Sequence, residues 1–229
     1  MQEEYKSEGK CLFCGDTFTK SGINRHLSIH LKDFVKTGES GQSFFVKVEP
    51  DKRWGATPFF LSLWVDGETA MKTLDQFLRN IWLECCGHIS AFRVSNTGEI
   101  SMSRKVNKLF KKGLVLNYEY DFGSTTKLCI TVVDEYPVKA EKKIVLLSRN
   151  EPMQAICAMC DKAPATQICT VCSYEEYALF CDKCGKKHAE KCAAFADYAS
   201  MPVVNSPRMG VCAYTGGSID TERDGVYKG

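Results

Sequence analysis

The chain has no long apolar run. The longest, PFFLSLWV, falls far short of the ~20 residues a bilayer-spanning helix needs. The opening segment, MQEEYKSEGK, is polar and carries no apolar signal stretch. These two absences lead to the expectation of a soluble, cytoplasmic protein. Charge of one sign is also missing: the formal net charge is only +2. Thiolates bound to metal would take it below zero, so any affinity for nucleic acid would need a local basic patch. Internal repeats and low-complexity tracts are absent. Histidine is scarce, with four in 229 residues. Cysteine is abundant, with thirteen. In a reducing compartment disulfides seldom persist, so paired cysteines there point to metal or redox chemistry. Apolar residues make up 44%, enough for a real core.

The first motif lies in residues 1–34. CLFCGDTFTKSGINRHLSIH places Cys11, Cys14, His26 and His30 at the spacing of a ββα C2H2-type zinc finger. Phe18 and Ile23 stand where such a finger keeps its two core side chains. Gly15 follows the second cysteine, where a positive φ lets backbone amides reach the thiolates. His26 and His30, four apart, share one helical face and can reach one ion. DNA reading is a separate matter. The helix offers Lys20, Asn24 and Arg25, but the loop is one residue short and Gly22 falls near a usual base-reading position. Residues 1–40 carry as many acids as bases.

Residues 35–42, VKTGESGQ, read as a linker. Residues 43–148 read as an α+β domain. Strands are expected at 43–49, 59–65, 90–94, 114–122, 127–135 and 143–148, from their β-branched and aromatic content. In the fourth, Leu114, Leu116, Tyr118, Tyr120 and Phe122 share a face. One long helix is expected from Thr73, with Thr73 and Gln76 as a capping box. Its buried stripe would be Leu74, Phe77, Leu78, Ile81, Trp82 and Cys85, and Gly87 would end it. A short helix is expected over 103–112.

Residues 152–196 form a third piece, followed by an extension over 197–229. Between Cys157 and Cys192 lie four ligand pairs: Cys157 and Cys160, Cys169 and Cys172, Cys181 and Cys184, His188 and Cys192. Four pairs suffice for two tetrahedral zinc ions. Three CxxC pairs in succession are too many for a redox motif. With every position filled by protein, such sites are structural rather than catalytic. Zinc in small modules contributes about 10–16 kcal/mol to folding.

The arrangement resembles B-box and related cross-braced zinc modules. That resemblance implies that Cys157, Cys160, Cys181 and Cys184 hold one ion, and Cys169, Cys172, His188 and Cys192 the other. Sequential pairing, first with second, stays open. Three zinc ions are expected in all. Over residues 43–148, TLDQFLRNIWLECCGHISAF and YEYDFGSTTKLCITVV resemble the family named after the third open reading frame of a root-inducing plasmid. The flanks CLFCGDTFTKSGINRHL and PVVNSPRMGVCAYTG extend the likeness. It implies a mostly antiparallel sheet and an association with plasmids and insertion elements, and little about activity.

Chemistry in the middle is weighed against packing. Cys85, Cys86 and His88, with Asp121, could form a metal or nucleophile site. Against this, Cys85 continues the buried stripe, and buried cysteine behaves as a small hydrophobe. DFGSTT matches a kinase triplet but lacks the accompanying loops, so it reads as a turn at Gly123. SRKVNKLFKK carries Arg104, Lys105, Lys108, Lys111 and Lys112, a patch for phosphate or a solvated face. Trp54, beside Lys52 and Arg53, could stack on bases. The expectation is a zinc-binding, non-enzymatic adaptor for nucleic acid or protein. The alternative is an enzyme centred on His88, Asp121 and Cys85/Cys86.

Overall fold

Hydrogen-bonding demand along the β-branched stretches is met by one large sheet. In the computed structural model, residues 7–51, 57–94, 98–174 and 178–224 are described. They fall into two units: Met1–Leu78 with Ile89–Glu151, and Arg79–His88 with Pro152–Gly229. Among the described residues, no helix is long and apolar enough to cross a membrane.

The first unit opens with a hairpin, β1 (Glu8–Lys10) and β2 (Thr17–Thr19), followed by α1 (Ile23–Thr37). Then come β3 (Ser40–Pro50), β4 (Leu61–Asp66), α2 (Met71–Leu78), β5 (Ser90–Val94), β6 (Gly98–Ile100), β7 (Val115–Tyr120), β8 (Thr126–Val138) and β9 (Ile144–Arg149). The last seven strands form an antiparallel sheet in the order β6-β5-β7-β8-β3-β4-β9.

Period-two alternation gives β3 two apolar faces. Phe45, paired across the ladder with Trp64, faces one side. Onto this face α1 lays Ile23, Leu27 and Leu31, all fully buried at i, i+4 and i+8, in a core shared with Phe60, Tyr136, Val138 and Leu147. Phe34 meets Trp64 with ring centroids 5.1 Å apart. On the neighbouring residue of β3, Phe44 meets Phe110 at 5.5 Å. A bulge between Ser62 and Leu63 in the β4–β9 ladder leaves Leu147 out of register, and its carbonyl accepts from Leu12 N at 2.9 Å. Gly9 bridges Asn150 at the β9 edge; a Cβ there would fall 2.5 Å from Arg149 O. The hairpin and α1 are thus part of this unit's core rather than a bead on a tether.

Four expectations change. Residues 35–42 are the end of α1 and the start of β3, joined through Gly38, whose N–H donates to Phe34 O at 2.8 Å. The single long helix is instead the eight residues of α2 followed by a π-helical turn, Arg79–Leu83, closed by Glu84 N donating to Arg79 O at 2.9 Å. Thr73 lies inside α2 and is not its cap. Residues 103–112 form only a 3₁₀ turn, Val106–Lys108. Their backbone is spent elsewhere: Arg104 O and Met102 O accept from Met71 N and Lys72 N, while Val106 N and Asn107 N donate to Thr69 O and Gly67 O. A helix over 103–112 would need Arg104 O for the Lys108 amide and Asn107 N for the Ser103 carbonyl.

Asp75 of α2 is a buried polar residue, accepting from Ser90 Oγ at 2.6 Å and Tyr118 Oη at 2.7 Å. On β7, Leu116, Tyr118 and Tyr120 are buried as the alternation demands, but Phe122 lies beyond the strand and is 51% exposed.

The second unit contains Arg79–His88 and a three-stranded sheet of β10 (Gln167–Cys169), β11 (Leu179–Phe180) and β12 (Ser200–Pro202), ordered β11-β10-β12. Helix α3 (Asp182–Ala189) and a π-helical turn, Phe195–Ala199, complete its centre. Its core is small: Cys157, Cys169, Cys181 and Cys184 pack with Ala178, Phe180, Phe195 and Ala199, and a second cluster joins Ala155, Ile168 and Leu179.

Candidate metal centres

Among the described residues, four groups of four bring their ligand atoms within 4.8 Å of one another. Together they take up every histidine and all the cysteines except Cys129. A tetrahedral ion with Zn–S bonds near 2.3 Å sets its sulfurs about 3.8 Å apart, so each group has the dimensions to hold one metal ion.

Cys11, Cys14, His26 and His30 form the first. The β1–β2 hairpin supplies the cysteines and α1 the histidines, both through Nε2. Cys14 Sγ lies 3.3 Å from His26 Nε2, which lies 3.1 Å from His30 Nε2. Gly15 takes a φ of +79°, which tightens the knuckle after Cys14. Phe18 stacks on the His26 ring at 3.9 Å. Burial, with His30 beside it, pulls the His26 pKa below its ordinary value, which favours the neutral, ligating form.

The grouping in the second unit is crossed. Cys157, Cys160, Cys181 and Cys184 come together, and Cys169, Cys172, His188 and Cys192 form the other group. Cys181 precedes α3, Cys184 sits in its first turn and His188 one turn on. Although four apart on one helix, Cys184 and His188 serve different groups. Phe180 stacks on His188 with centroids 4.3 Å apart, and Phe195 meets it edge-on. Cys172 Sγ stands 3.6 Å from His188 Nε2 and 3.9 Å from Cys192 Sγ.

Electrostatics within these groups are divided. Burial pushes the Cys157 thiol up, but the amides of Cys181, Cys160 and Met159 outweigh it and bring it down to about 6. The Ala163 and Lys162 amides lower Cys160, and the Phe195 amide lowers Cys192. Burial and the neighbouring Cys181 and Cys157 drive Cys184 up to about 12. Cys169 and burial do the same to Cys172, also to about 12. Crowded thiols cannot all ionise by themselves; a divalent cation reverses that balance.

The fourth group is Cys85, Cys86, His88 and Cys212. Cys86 Sγ lies 2.9 Å from His88 Nε2, 3.4 Å from Cys212 Sγ and 3.5 Å from Cys85 Sγ. Sequence reasoning singled out the first three and missed Cys212. The signal available was elimination, because Cys129 and Cys212 were the only cysteines outside the recognised motifs, but spacing could not choose between them. Asp121, the expected fourth partner, is not in this group. It sits in the turn after β7 at φ +63°, its Oδ1 accepting from Gly123 N at 3.0 Å and Ser124 N at 3.2 Å. Asp121, rather than Gly123, takes the left-handed conformation.

The basic residues are partly committed. Lys20 Nζ pairs with Glu49 at 3.0 Å and donates to Thr57 O and Phe59 O. Asn24 accepts from Ser62 on β4 at 3.1 Å. The α1 side that would meet bases is turned onto its own sheet, and Arg25 alone of the three is exposed. Lys105 pairs with Glu68, and Lys112 with Asp134 at 3.0 Å. Arg104, Lys108 and Lys111 are exposed. Lys52, Arg53 and Trp54 lie outside the described residues. Sequence reasoning also passed over a second basic cluster: Lys183, Lys186, Lys187 and Lys191 are exposed on and just after α3.

No protein-family model and no curated protein matches the chain. Among solved structures, a protein of unknown function from Methanosarcina mazei Go1 is similar at 14% identity and a TM-score of 0.39, over 50% of this chain and 71% of that one.

Proposed function

We propose that the chain is a non-enzymatic binding protein stapled by zinc at the finger site and at the two crossed sites, and that its partner is a protein. The observation that carries the reading is the completeness of the ligand sets. Each of these sites has four protein donors, and a closed tetrahedral site leaves no position for water or substrate. The donor types, thiolate and imidazole in tetrahedral number, suit Zn²⁺. The metal supplies folding energy to a region where half of the buried cluster around the ligands is cysteine.

A protein partner is favoured by two features. The finger's base-facing side chains, Lys20 and Asn24, are used internally. The crossed module carries a shallow depression of ≈ 410 Å³ lined by Gly185, Ala189, Phe195 and Ala196 with Gln167, Asp182, Lys186 and Ser200. A mixed lining of apolar and hydrogen-bonding side chains with one charge of each sign suits a peptide better than a phosphate backbone. Association with plasmids or insertion elements rests on the sequence resemblance alone.

The second reading, nucleic acid, is favoured by the lysines around α3. Filter binding of the zinc-loaded chain to random-sequence duplex and single-stranded DNA separates the two. The protein reading expects no retention at low salt. A log K falling steeply with log salt, and lost when Lys183, Lys186 and Lys187 become glutamate, would replace it with the nucleic-acid reading.

A further inference from the structure

Residues 79–88 and the extension after the crossed module meet inside the second unit. Ser206 Oγ donates to Trp82 O at 2.7 Å, and Ser218 N to Asn80 O at 2.7 Å. At the same place three sulfurs and an imidazole converge, with separations of 2.9 to 3.5 Å around Cys86. We propose that Cys85, Cys86, His88 and Cys212 form a fourth tetrahedral site, for Zn²⁺, that clasps the 197–229 extension to the 84–88 loop.

Three observations carry this. First, the donor set is complete: three thiolates and one imidazole are a recognised structural zinc set. A disulfide would use two sulfurs and leave the third and the imidazole without a role. Second, the scaffold is preorganised. Arg79 Nη2 donates to His88 O at 2.8 Å, while its Nη1 pairs with Glu84 at 2.8 Å. The other Glu84 oxygen accepts from Gly87 N at 2.6 Å, and Gly87 turns the chain at φ +80°. Cys212 itself is held at φ +55°, a conformation that L-residues adopt at a cost and that aims its sulfur into the group. Third, the charge balances. Three thiolates around a divalent ion leave one negative charge. The fully buried Arg208 donates from Nη2 to Cys85 Sγ at 3.4 Å and supplies the opposite charge.

Two of the site's ligands, Cys86 and Cys212, are exposed, against one, Cys14, in the finger site, and neither belongs to a CxxC knuckle. It also accounts for SPRMGVC, a stretch no zinc motif explains. Ser206 orients the turn, Arg208 balances the thiolates and Cys212 closes the ring of ligands.

The test is the zinc count of the full-length chain by native mass spectrometry, for the wild type, Cys212→Ser and Cys129→Ser. The hydrogen bonds from Ser206 and Ser218 remain in Cys212→Ser, so the extension stays docked while one ligand is lost. We expect Cys212→Ser to carry one zinc fewer than the wild type, and Cys129→Ser to carry the same number. Cobalt substitution gives a second readout: thiolate-to-metal charge-transfer absorbance should fall by about a quarter in Cys212→Ser, since three of the twelve grouped cysteines belong to this site. An unchanged metal count in Cys212→Ser overturns the proposal. If that variant fails to fold, the wild-type count decides: four ions support the site, and three or fewer overturn it. Loss of an ion on Cys160→Ser or His26→Ala reports on the other sites separately, so the failure of one reading is not mistaken for that of the other.

Discussion

Replacing Leu27 by alanine tests whether the finger is an independent module or part of the sheet's core. Leu27 is fully buried at the centre of the α1 stripe. The cluster around it includes Phe45, Phe60 and Trp64, large side chains tied to the sheet. Such neighbours cannot collapse into the space left behind, so the substitution should cost about 3 kcal/mol, within the range for buried leucine truncations. If the core is shared, this loss is felt by the whole first unit. Hydrogen exchange followed by mass spectrometry reads it out. Protection of the slowest amides in β3, β4 and β8 should fall by roughly 10²-fold, together with that of α1. Ile29→Ala, two residues away but 61% exposed, is the control and should change stability by about 0.5 kcal/mol or less. Faster exchange confined to residues 8–37, with the sheet strands unchanged, would refute the shared core. The finger would then be a tethered domain.

Other expectations follow from single contacts. Glu49 is buried, which would raise its pKa, but Lys47 and Lys20 outweigh this and hold it below its ordinary value of 4.5. Its contribution is therefore fully present above pH 4.5 and lost as pH falls through the lower folded value. Glu49→Gln should be roughly 1–3 kcal/mol less stable at pH 7 by urea unfolding, and the gap to wild type should close in acid. Asp75→Ala removes the acceptor of two buried hydroxyls, Ser90 and Tyr118, and should cost about 2–4 kcal/mol in the same assay. A Cβ on Gly38 would meet Val138 and lie 2.7 Å from Phe34 O. Gly38→Ala should thus lower the melting temperature, by about 1–3 kcal/mol of stability, although the φ of −80° suits any residue.

Strand positions were legible where side chains alternate. All six expected strands in the middle region overlap observed ones to within three residues at either end, because β3, β4, β5, β7, β8 and β9 are paired wherever they are apolar. β8 runs three residues past its expected end, to Val138, because β3 continues beside it. Helices were less legible. Apolar spacing from Leu74 to Cys85 fits 3.6 residues per turn, but a π turn shifts the phase after Leu78. The spacing of Val106, Leu109 and Phe110 suggested a helix, and long-range backbone bonds to residues 67–72 prevented it. In each case tertiary hydrogen bonds overrode a local preference.

Metal-ligand spacing is a short-range property, so CxxC and HxxxH pairs could be read from the chain alone. Three apart in a knuckle, or four apart on a helix, side chains share a direction whatever surrounds them. Which pairs meet is a different kind of fact. Cys86 and Cys212 are 126 residues apart, and no local rule selects Cys212 over Cys129. The fate of Lys20 was equally open, since Glu49 and the carbonyls of Thr57 and Phe59 reach it only once α1 lies on the sheet. The sequence by itself determined the donors and their local geometry. The tertiary structure decided their partners, because closing long loops depends on the packing of everything between.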